Sequence, residues 1–201
     1  MTASNQSSAP TGAYAKYLAA VRALDRPVVL VGLMGVGKTQ VGQALARKLG
    51  WNFYDSDHEI ERAGGLVISE IFDRFGEEKF RDLERRVIGD LLAKGPMVLA
   101  TGGGAFVQAQ TRALIHERAI SIWLKASLDT LAARTARSQH RPLLQVPDPR
   151  AVLARLIDER YPIYAEAMMT IETDHYSRWQ TLDVILDRLH AYAVALPQQV
   201  S

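Results

Sequence analysis

Five short apolar runs recur along the chain, and the segments between them carry apolar residues at helical spacing. Short apolar runs predict buried strands, and spacings of three and four residues predict helices. The predicted strands cover residues 27–31, 51–55, 97–101, 119–124 and 169–173. Strands that alternate with helices need right-handed crossover connections, so the pattern predicts an α/β fold whose parallel sheet is covered on both faces.

Glycine and proline mark the ends of the predicted helices. Gly50 stands where a helix C-terminus favours positive φ, Gly95-Pro96 ends a long helical segment, and Gly76 predicts a kink within that segment. The first expected helices run from near Lys38 to Leu49, over 58–63 and from Ser69 to the Gly95-Pro96 break. The later ones follow the glycines at 102–104 as far as about Arg118, then cover 127–137, 150–168 with an interruption near Pro162, and Trp179 to Leu196.

The two ends of the chain differ from its centre. Residues 1–12 are small and polar and predict a disordered tail, and residues 13–25 predict a short helical extension. Packing on the domain edge is the simplest role for that extension, with partner binding as the alternative. Residues 26–196 are expected to form one domain, and the proline-rich segment at about 137–150 suits a mobile lid.

Composition narrows the class of protein. The chain has 201 residues, 48% of them hydrophobic and 23% charged, which is ordinary for a soluble domain. A net charge of +2 is too small to predict nucleic acid or an anionic membrane as a partner. No apolar run approaches a membrane span, the N-terminus lacks a secretory pattern, and there are no cysteines. A cytoplasmic protein, expected to be a monomer, fits these observations.

The segment that follows the first predicted strand has the strongest functional pattern. Residues 32–39 read GLMGVGKT, which fits G-x-x-x-x-G-K-[ST] between a strand and a helix. Glycines let backbone amides surround a phosphate, and the helix N-terminus adds partial positive charge. Lys38 is expected to reach the β- and γ-phosphates and Thr39 to ligate Mg²⁺. The pattern therefore predicts a nucleotide-binding protein.

Polar residues and glycines follow the next two strands. Ligands of such folds bind at the carboxyl ends of the strands. If the chain is still extended there, Asp55 and Asp57 project to one side, near Lys38, where one would order a metal through water and the other would bind a substrate hydroxyl. A solvated turn that caps the next helix is the alternative. The glycines at 102–104 favour close backbone approach to a substrate over a simple strand exit.

Arginines are the remaining candidates. Arg81 lies on a helix with Glu77 and Glu84, so a surface ion pair is its simplest interpretation. Arg141 lies in the predicted lid and Arg160 in the helix after it. Phosphoryl transfer needs cations around the transferred group, and a carboxylate substrate favours guanidinium partners. The five histidines lack the spacing of a zinc site.

Taken together and in this order, these motifs resemble the shikimate kinase family. The resemblance rests on GLMGVGKT (32–39), DSD (55–57), SEIFDRFGEEKFRDLE (69–84), TGGG (101–104), RPLL (141–144) and ERYPIY (159–164). It implies ATP-dependent phosphorylation of the 3-hydroxyl of shikimate with Mg²⁺. It also implies a three-layer P-loop kinase fold with a five-stranded parallel sheet of order 2-3-1-4-5 and a mobile lid.

The resemblance also implies residue roles. ATP and its phosphates would contact Gly35, Val36, Gly37, Lys38, Thr39, Gln40, Arg134 and Arg141. Shikimate would contact Asp57, Arg81, Gly102, Gly103, Gly104 and Arg160. Lys38, Asp57 and Arg141 would be catalytic, with Asp57 as candidate base. Mg²⁺ would be held by Thr39 and, through water, by Asp55.

Two other functions fit parts of the pattern. One is a gluconate kinase or nucleotide kinase of the same fold, although glycines and two arginines suit a small carboxylate better than a nucleobase. The other is a nucleotide-dependent switch whose N-terminal helix recruits a partner. No N-K-x-D motif occurs, which argues against a GTPase switch.

Overall fold

A single parallel sheet forms the centre of the structure, a computed structural model that describes residues 12–136 and 146–196. Its strands are β1 (Val28–Val31), β2 (Asn52–Asp55), β3 (Met97–Ala100), β4 (Ile120–Lys125) and β5 (Met169–Glu172). Their order is β2-β3-β1-β4-β5, and every neighbouring pair is parallel. This order confirms the predicted α/β fold.

Eight helices and one 3₁₀ turn connect the strands in the described part of the chain. They are α1 (Gly12–Arg22), α2 (Lys38–Leu49), α3 (Ser56–Gly64), α4 (Ile68–Leu92), the 3₁₀ turn (Ala105–Val107), α5 (Ala109–Arg118), α6 (Leu128–Thr135), α7 (Pro149–Tyr164) and α8 (Arg178–Ala195). Helices α1, α2 and α8 pack together, and α4 packs on α3 and α5. None of the described helices has the length and hydropathy needed to cross a membrane.

The hydrophobic core lies on both sides of the central strands. All residues of β1 and β3 are buried, as expected for parallel strands covered by helices on two faces. The register places Leu30 beside Ala100 and Ile122, so the carboxyl ends of β1, β3 and β4 reach one edge of the sheet together. That edge carries the loops with the candidate residues.

Two predicted helix interruptions have different outcomes. Gly76 has φ 77° and ψ 173° inside α4, so the predicted kink is confirmed. The predicted interruption near Pro162 is wrong, because α7 continues through Pro162 and ends at Tyr164. Proline lacks a backbone N–H and so removes one hydrogen bond from a helix. The loss falls at the end of α7, because only two residues follow Pro162 in the helix.

Helix α1 braces the end of α2 that lies away from the phosphate loop. Arg22 donates from Nε to the carbonyl of Leu49 at 2.8 Å, which satisfies a carbonyl left unpaired at the helix end. Tyr17 donates to Asp187 at 2.8 Å and stacks on His190 of α8, with ring centroids 4.3 Å apart. These contacts fit the predicted packing role of the extension.

Candidate active site

The phosphate loop joins β1 to α2 and needs glycine where the sequence provides it. Gly32, Gly35 and Gly37 have φ values of 135°, 84° and 98°, which other residues rarely adopt. A Cβ on Gly32 would also lie 2.5 Å from the carbonyl oxygen of Leu124. Lys38 donates to the carbonyls of Gly32 and Leu33 at 2.7 and 3.0 Å, which folds its side chain back along the loop.

A cavity of about 1090 Å³ opens at the carboxyl edge of the sheet, beside this loop. It gathers nearly all of the residues that the sequence analysis singled out: Gly35, Val36, Gly37, Lys38, Thr39, Gln40, Asp55, Asp57, Arg81, Gly102, Gly103, Gly104, Arg134 and Arg160. Arg141 and the lid segment 137–145 lie outside the described residues. Residues far apart in the chain thus meet in one space beside the phosphate loop.

Asp55 joins the end of β2 to the phosphate loop. One carboxylate oxygen accepts from the Thr39 hydroxyl at 2.9 Å, and the other accepts from the backbone N–H of Asp57 at 3.2 Å. Asp55 is therefore the N-cap of α3, and the chain turns into a helix at Ser56. The expectation of an extended chain at Asp57 is wrong for this reason, although both carboxylates still line the cavity.

Asp57 lies in the first turn of α3. Burial is the main cause that raises the pKa of its carboxyl, and the Asp55 charge adds to the rise, while Lys38 and the Ser56 hydroxyl oppose it. Ser56 is fully buried, accepts from the Gly102 N–H at 2.9 Å and donates to Asp57 Oδ1 at 3.4 Å. Ser56 was missed in the sequence because a serine between two aspartates looks like an ordinary turn residue.

The glycines after β3 allow two side chains to lie against the backbone. A Cβ on Gly102 would lie 2.5 Å from Asp57 Oδ1. A Cβ on Gly104 would lie 2.7 Å from both terminal nitrogens of the Arg81 guanidinium. The glycines thus leave room for side chains of the same cavity, and the close approach of a substrate stays a prediction.

Arg81 is held by two acidic residues of α4. It donates to Glu84 at 2.7 Å and to Glu77 at 3.3 Å, so the helix ion pairs are present, yet Arg81 also lines the cavity. Glu84 is only 1% exposed, and burial raises the pKa of its carboxyl against the effect of Arg81. Its spacing from Phe80 and Val87 places Glu84 on the apolar face of α4, a pattern from which its burial could have been predicted.

Arg160 reaches the glycine turn from α7. Its Nη1 donates to the carbonyl oxygen of Gly103 at 3.0 Å, and the hydroxyl of Tyr164 donates to the same oxygen. Arg81 and Arg160 therefore lie beside two adjacent residues, Gly104 and Gly103, and both arginines line the cavity.

The opposite end of the cavity is formed by α6, by α8 and by the loop that follows β5. Arg134 donates to the backbone carbonyl of Thr173 at 2.9 Å and to its hydroxyl at 3.2 Å, so it joins α6 to this loop. The sequence analysis did not assign the further lining residues at this end: Tyr176, Ser177, Arg178 and Thr181. These four residues belong to no recognisable sequence motif. They reach the cavity because β5 ends at the same sheet edge as β1.

A glycine-rich phosphate loop with a partly buried carboxylate and two arginines in one cavity defines a P-loop kinase of small molecules. Comparison with known proteins gives the particular family. The sequence model of the shikimate kinase family matches residues 34–190. The chain belongs to the shikimate kinase family.

Individual relatives agree with this assignment. The shikimate kinase of Rhodopseudomonas palustris is 51% identical over 175 residues, which cover 87% of this chain and 86% of that protein. The shikimate kinase of Caulobacter vibrioides is 54% identical over 172 residues, covering 86% and 85%. The structure of the Acinetobacter baumannii shikimate kinase in complex with shikimate has a TM-score of 0.79 at 41% identity, covering 86% of this chain and 98% of that chain. The chain is therefore an ATP-dependent kinase.

Proposed function

We propose that the chain transfers the γ-phosphoryl group of ATP to the 3-hydroxyl of shikimate, within the pathway to aromatic amino acids. One observation carries this proposal: the phosphate loop, the partly buried carboxylate of Asp57 and the guanidinium groups of Arg81 and Arg160 line the same cavity. A phosphate donor, an alcohol and a carboxylate each have a matching partner there. The proposal accounts for these groups together.

The acceptor would bind between α3, α4 and the glycine turn. Arg81 and Arg160 would hold the carboxylate of shikimate, since a guanidinium matches the two oxygens of a carboxylate. Asp57 would accept a hydrogen bond from the 3-hydroxyl and serve as base. The hydroxyl oxygen then bonds to the γ-phosphorus, the bond to the bridging β–γ oxygen breaks, and ADP leaves. Gly102, Gly103 and Gly104 would line this part of the pocket.

The nucleotide would bind along the phosphate loop. The backbone amides from Gly35 to Gln40, together with Lys38 and the N-terminus of α2, would hold the phosphates and offset their negative charge. Arg134 would pack on the adenine side, where it already contacts Thr173. Arg141, from a lid at about 137–150, would contact the transferred phosphoryl group and exclude water.

Mg²⁺ fits the oxygen atoms that lie beside this loop. Thr39 and Asp55 are hydrogen-bonded to each other at the cavity, which places a hydroxyl and a carboxylate, both hard oxygen ligands, side by side. Among the described residues there is no cluster of three acidic, histidine or cysteine side chains that could hold a metal, so water and phosphate oxygens would complete the coordination. Thr39 would bind the ion directly and Asp55 through water. The bound ion would neutralise charge on the phosphates.

We extend the proposal to the state and place of the enzyme. The enzyme would be a monomer built from one kinase domain over 26–196 and a helical extension over 13–25. A cytoplasmic location matches a reaction that consumes ATP. The substrates are small molecules, and neither nucleic acid nor a membrane takes part.

An acceptor panel tests the reaction. We expect ADP release in the presence of ATP and Mg²⁺ to depend on shikimate, with gluconate and the common nucleoside monophosphates as parallel acceptors. Release with gluconate or a nucleotide but not with shikimate would contradict the proposal. Tight ATP binding with no turnover of any acceptor would instead favour a nucleotide-dependent switch.

The substitution Gly104→Ala tests the position of Arg81. The new methyl group would lie 2.7 Å from the guanidinium nitrogens, so the end of the Arg81 side chain, which pairs with Glu84, must shift. We expect KM for shikimate to rise about 10- to 100-fold, because displacing a positioning group by an ångström can cost that much. KM for ATP should stay the same, as measured by steady-state kinetics.

Gly89→Ala is the matched control for this change. Gly89 lies inside α4, and a Cβ there would meet Leu114 at an ordinary 3.5 Å. The control should keep both KM values and gain helix stability. An unchanged KM for shikimate in Gly104→Ala would show that Arg81 does not hold this substrate.

A further inference from the structure

Tyr164 ends α7 beside the glycine turn, and its side chain is fully buried. Its hydroxyl donates to the carbonyl oxygen of Gly103, the same oxygen that accepts from Arg160 Nη1 at 3.0 Å. A carbonyl oxygen has two lone pairs, so one oxygen can accept from both donors. The tyrosine thus shares its hydrogen-bond acceptor with a guanidinium group that faces the cavity.

Helix geometry explains why these two side chains converge. Residues 160 and 164 are four apart, so they project from the same face of α7. The ring of Tyr164 packs near Trp123 of β4, with centroids 6.0 Å apart, so its place is set by the sheet. Burial raises the pKa of Tyr164 to about 12, which keeps its hydroxyl protonated as a donor at neutral pH.

The two donors to the Gly103 carbonyl differ in conformational freedom. Tyr164 is a rigid ring without access to solvent, whereas Arg160 is a long side chain that is only partly buried. A Cβ on Gly103 would lie 3.4 Å from Arg160 Nη1 and 3.8 Å from the Tyr164 hydroxyl, so the backbone and both donors are closely packed. The direction of the Gly103 carbonyl decides where Arg160 can place its remaining donors.

We propose that Tyr164 is a positioning residue for the acid substrate, since its hydroxyl fixes the Gly103 carbonyl, which in turn orients the guanidinium of Arg160. The inference rests on the proposed function, in which Arg160 holds the carboxylate of shikimate. Tyr164 itself touches neither substrate. It acts through a backbone oxygen and one arginine.

Tyr164→Phe removes this hydroxyl and keeps the ring. We expect KM for shikimate to rise about five- to tenfold, the size of effect that loss of one supporting hydrogen bond produces. KM for ATP should be unchanged, and kcat should stay within about twofold of its original value. A rise of both KM values in parallel, or no change in either, would overturn the inference.

Tyr161→Phe is the matched control. Tyr161 lies three residues before Tyr164 in α7, and its hydroxyl also donates to a backbone carbonyl, that of Ala126. Each variant loses one hydrogen bond from a tyrosine hydroxyl to a backbone carbonyl, and Tm measures the loss of stability in each. Only Tyr164→Phe should raise KM for shikimate, and an equal rise in the control would show a general loss of stability instead.

A double variant separates the inference from the proposed function. If Tyr164 acts through Arg160, Tyr164→Phe should add no further rise in KM once Arg160→Ala is present, because the coupled effect is already lost. Fully additive rises would overturn the inference while leaving the role of Arg160 intact. An unchanged KM in Arg160→Ala alone would instead contradict the proposed function at that residue.

Discussion

Replacing Asp57 with asparagine is expected to lower kcat about 10²- to 10⁴-fold, the range attributed to a well-placed general base. The amide keeps the shape of the carboxyl but cannot accept the proton of the reacting hydroxyl. ATP binding should persist, because the groups proposed to hold the phosphates belong to the loop between β1 and α2. Steady-state kinetics and ATP titration measure the two effects separately.

The same substitution is expected to raise stability at neutral pH. Burial raises the pKa of Asp57, so folding favours its protonated form, and the charged form at neutral pH lowers the free energy of unfolding. Asparagine is neutral at every pH. Tm of the variant should therefore exceed that of the original protein above the raised pKa, and the difference should shrink as pH falls through it.

The pH dependence of the unmodified enzyme follows from the same shift. Because the base must be deprotonated, kcat/KM should fall as pH drops through the raised pKa of Asp57.

Asp90→Asn, at an exposed position of α4, is the control for Asp57→Asn and should leave both kinetics and stability nearly unchanged. Near-original kcat in Asp57→Asn would show that another group takes the proton.

Replacing Lys38 with methionine is expected to lower kcat about 10²- to 10³-fold and to weaken ATP binding as well. The loss has this size because Lys38 would supply positive charge where the transferred phosphoryl group gains negative charge. The stem of methionine keeps the packing of the side chain. In the structure Lys38 also donates to the Gly32 and Leu33 carbonyls, so the loop itself should become less ordered without it.

Lys48→Met is the matched control for this variant. Lys48 lies at the other end of α2, where its ammonium group is 5.2 Å from the centre of the Tyr14 ring. The control should keep kcat and ATP affinity. If Lys38→Met instead retained ATP affinity and turnover, the nucleotide would not be bound as we propose.

Part of the site is encoded in short segments of the sequence. The spacing of Gly32, Gly35 and Gly37 before Lys38 and Thr39 is enough to predict a phosphate loop, because the required φ values and charges are local properties of that segment. The alternation of strands and helices likewise predicted the parallel sheet, and the sheet predicted which loops would meet.

Contacts between distant residues could not be predicted in this way. Ser56 looked like a turn residue, yet it is fully buried and accepts a hydrogen bond from the Gly102 N–H, 46 residues along the chain. Burial of a polar side chain depends on what other elements cover it. The helical position of Asp57 is, by contrast, a local effect of the capping role of Asp55, and a capping turn was among the alternatives that the sequence offered.

Local sequence patterns were enough to predict the phosphate loop, the kink at Gly76, the strands and the class of enzyme. The packing of distant elements was needed to see that Tyr164 and Arg160 share the carbonyl of Gly103, 61 residues from Tyr164, and that Gly104 leaves room for Arg81. Local pattern reflects backbone conformation and solvent exposure along one segment. Such contacts arise when strand order brings separate segments to one edge of the sheet, which no single segment encodes.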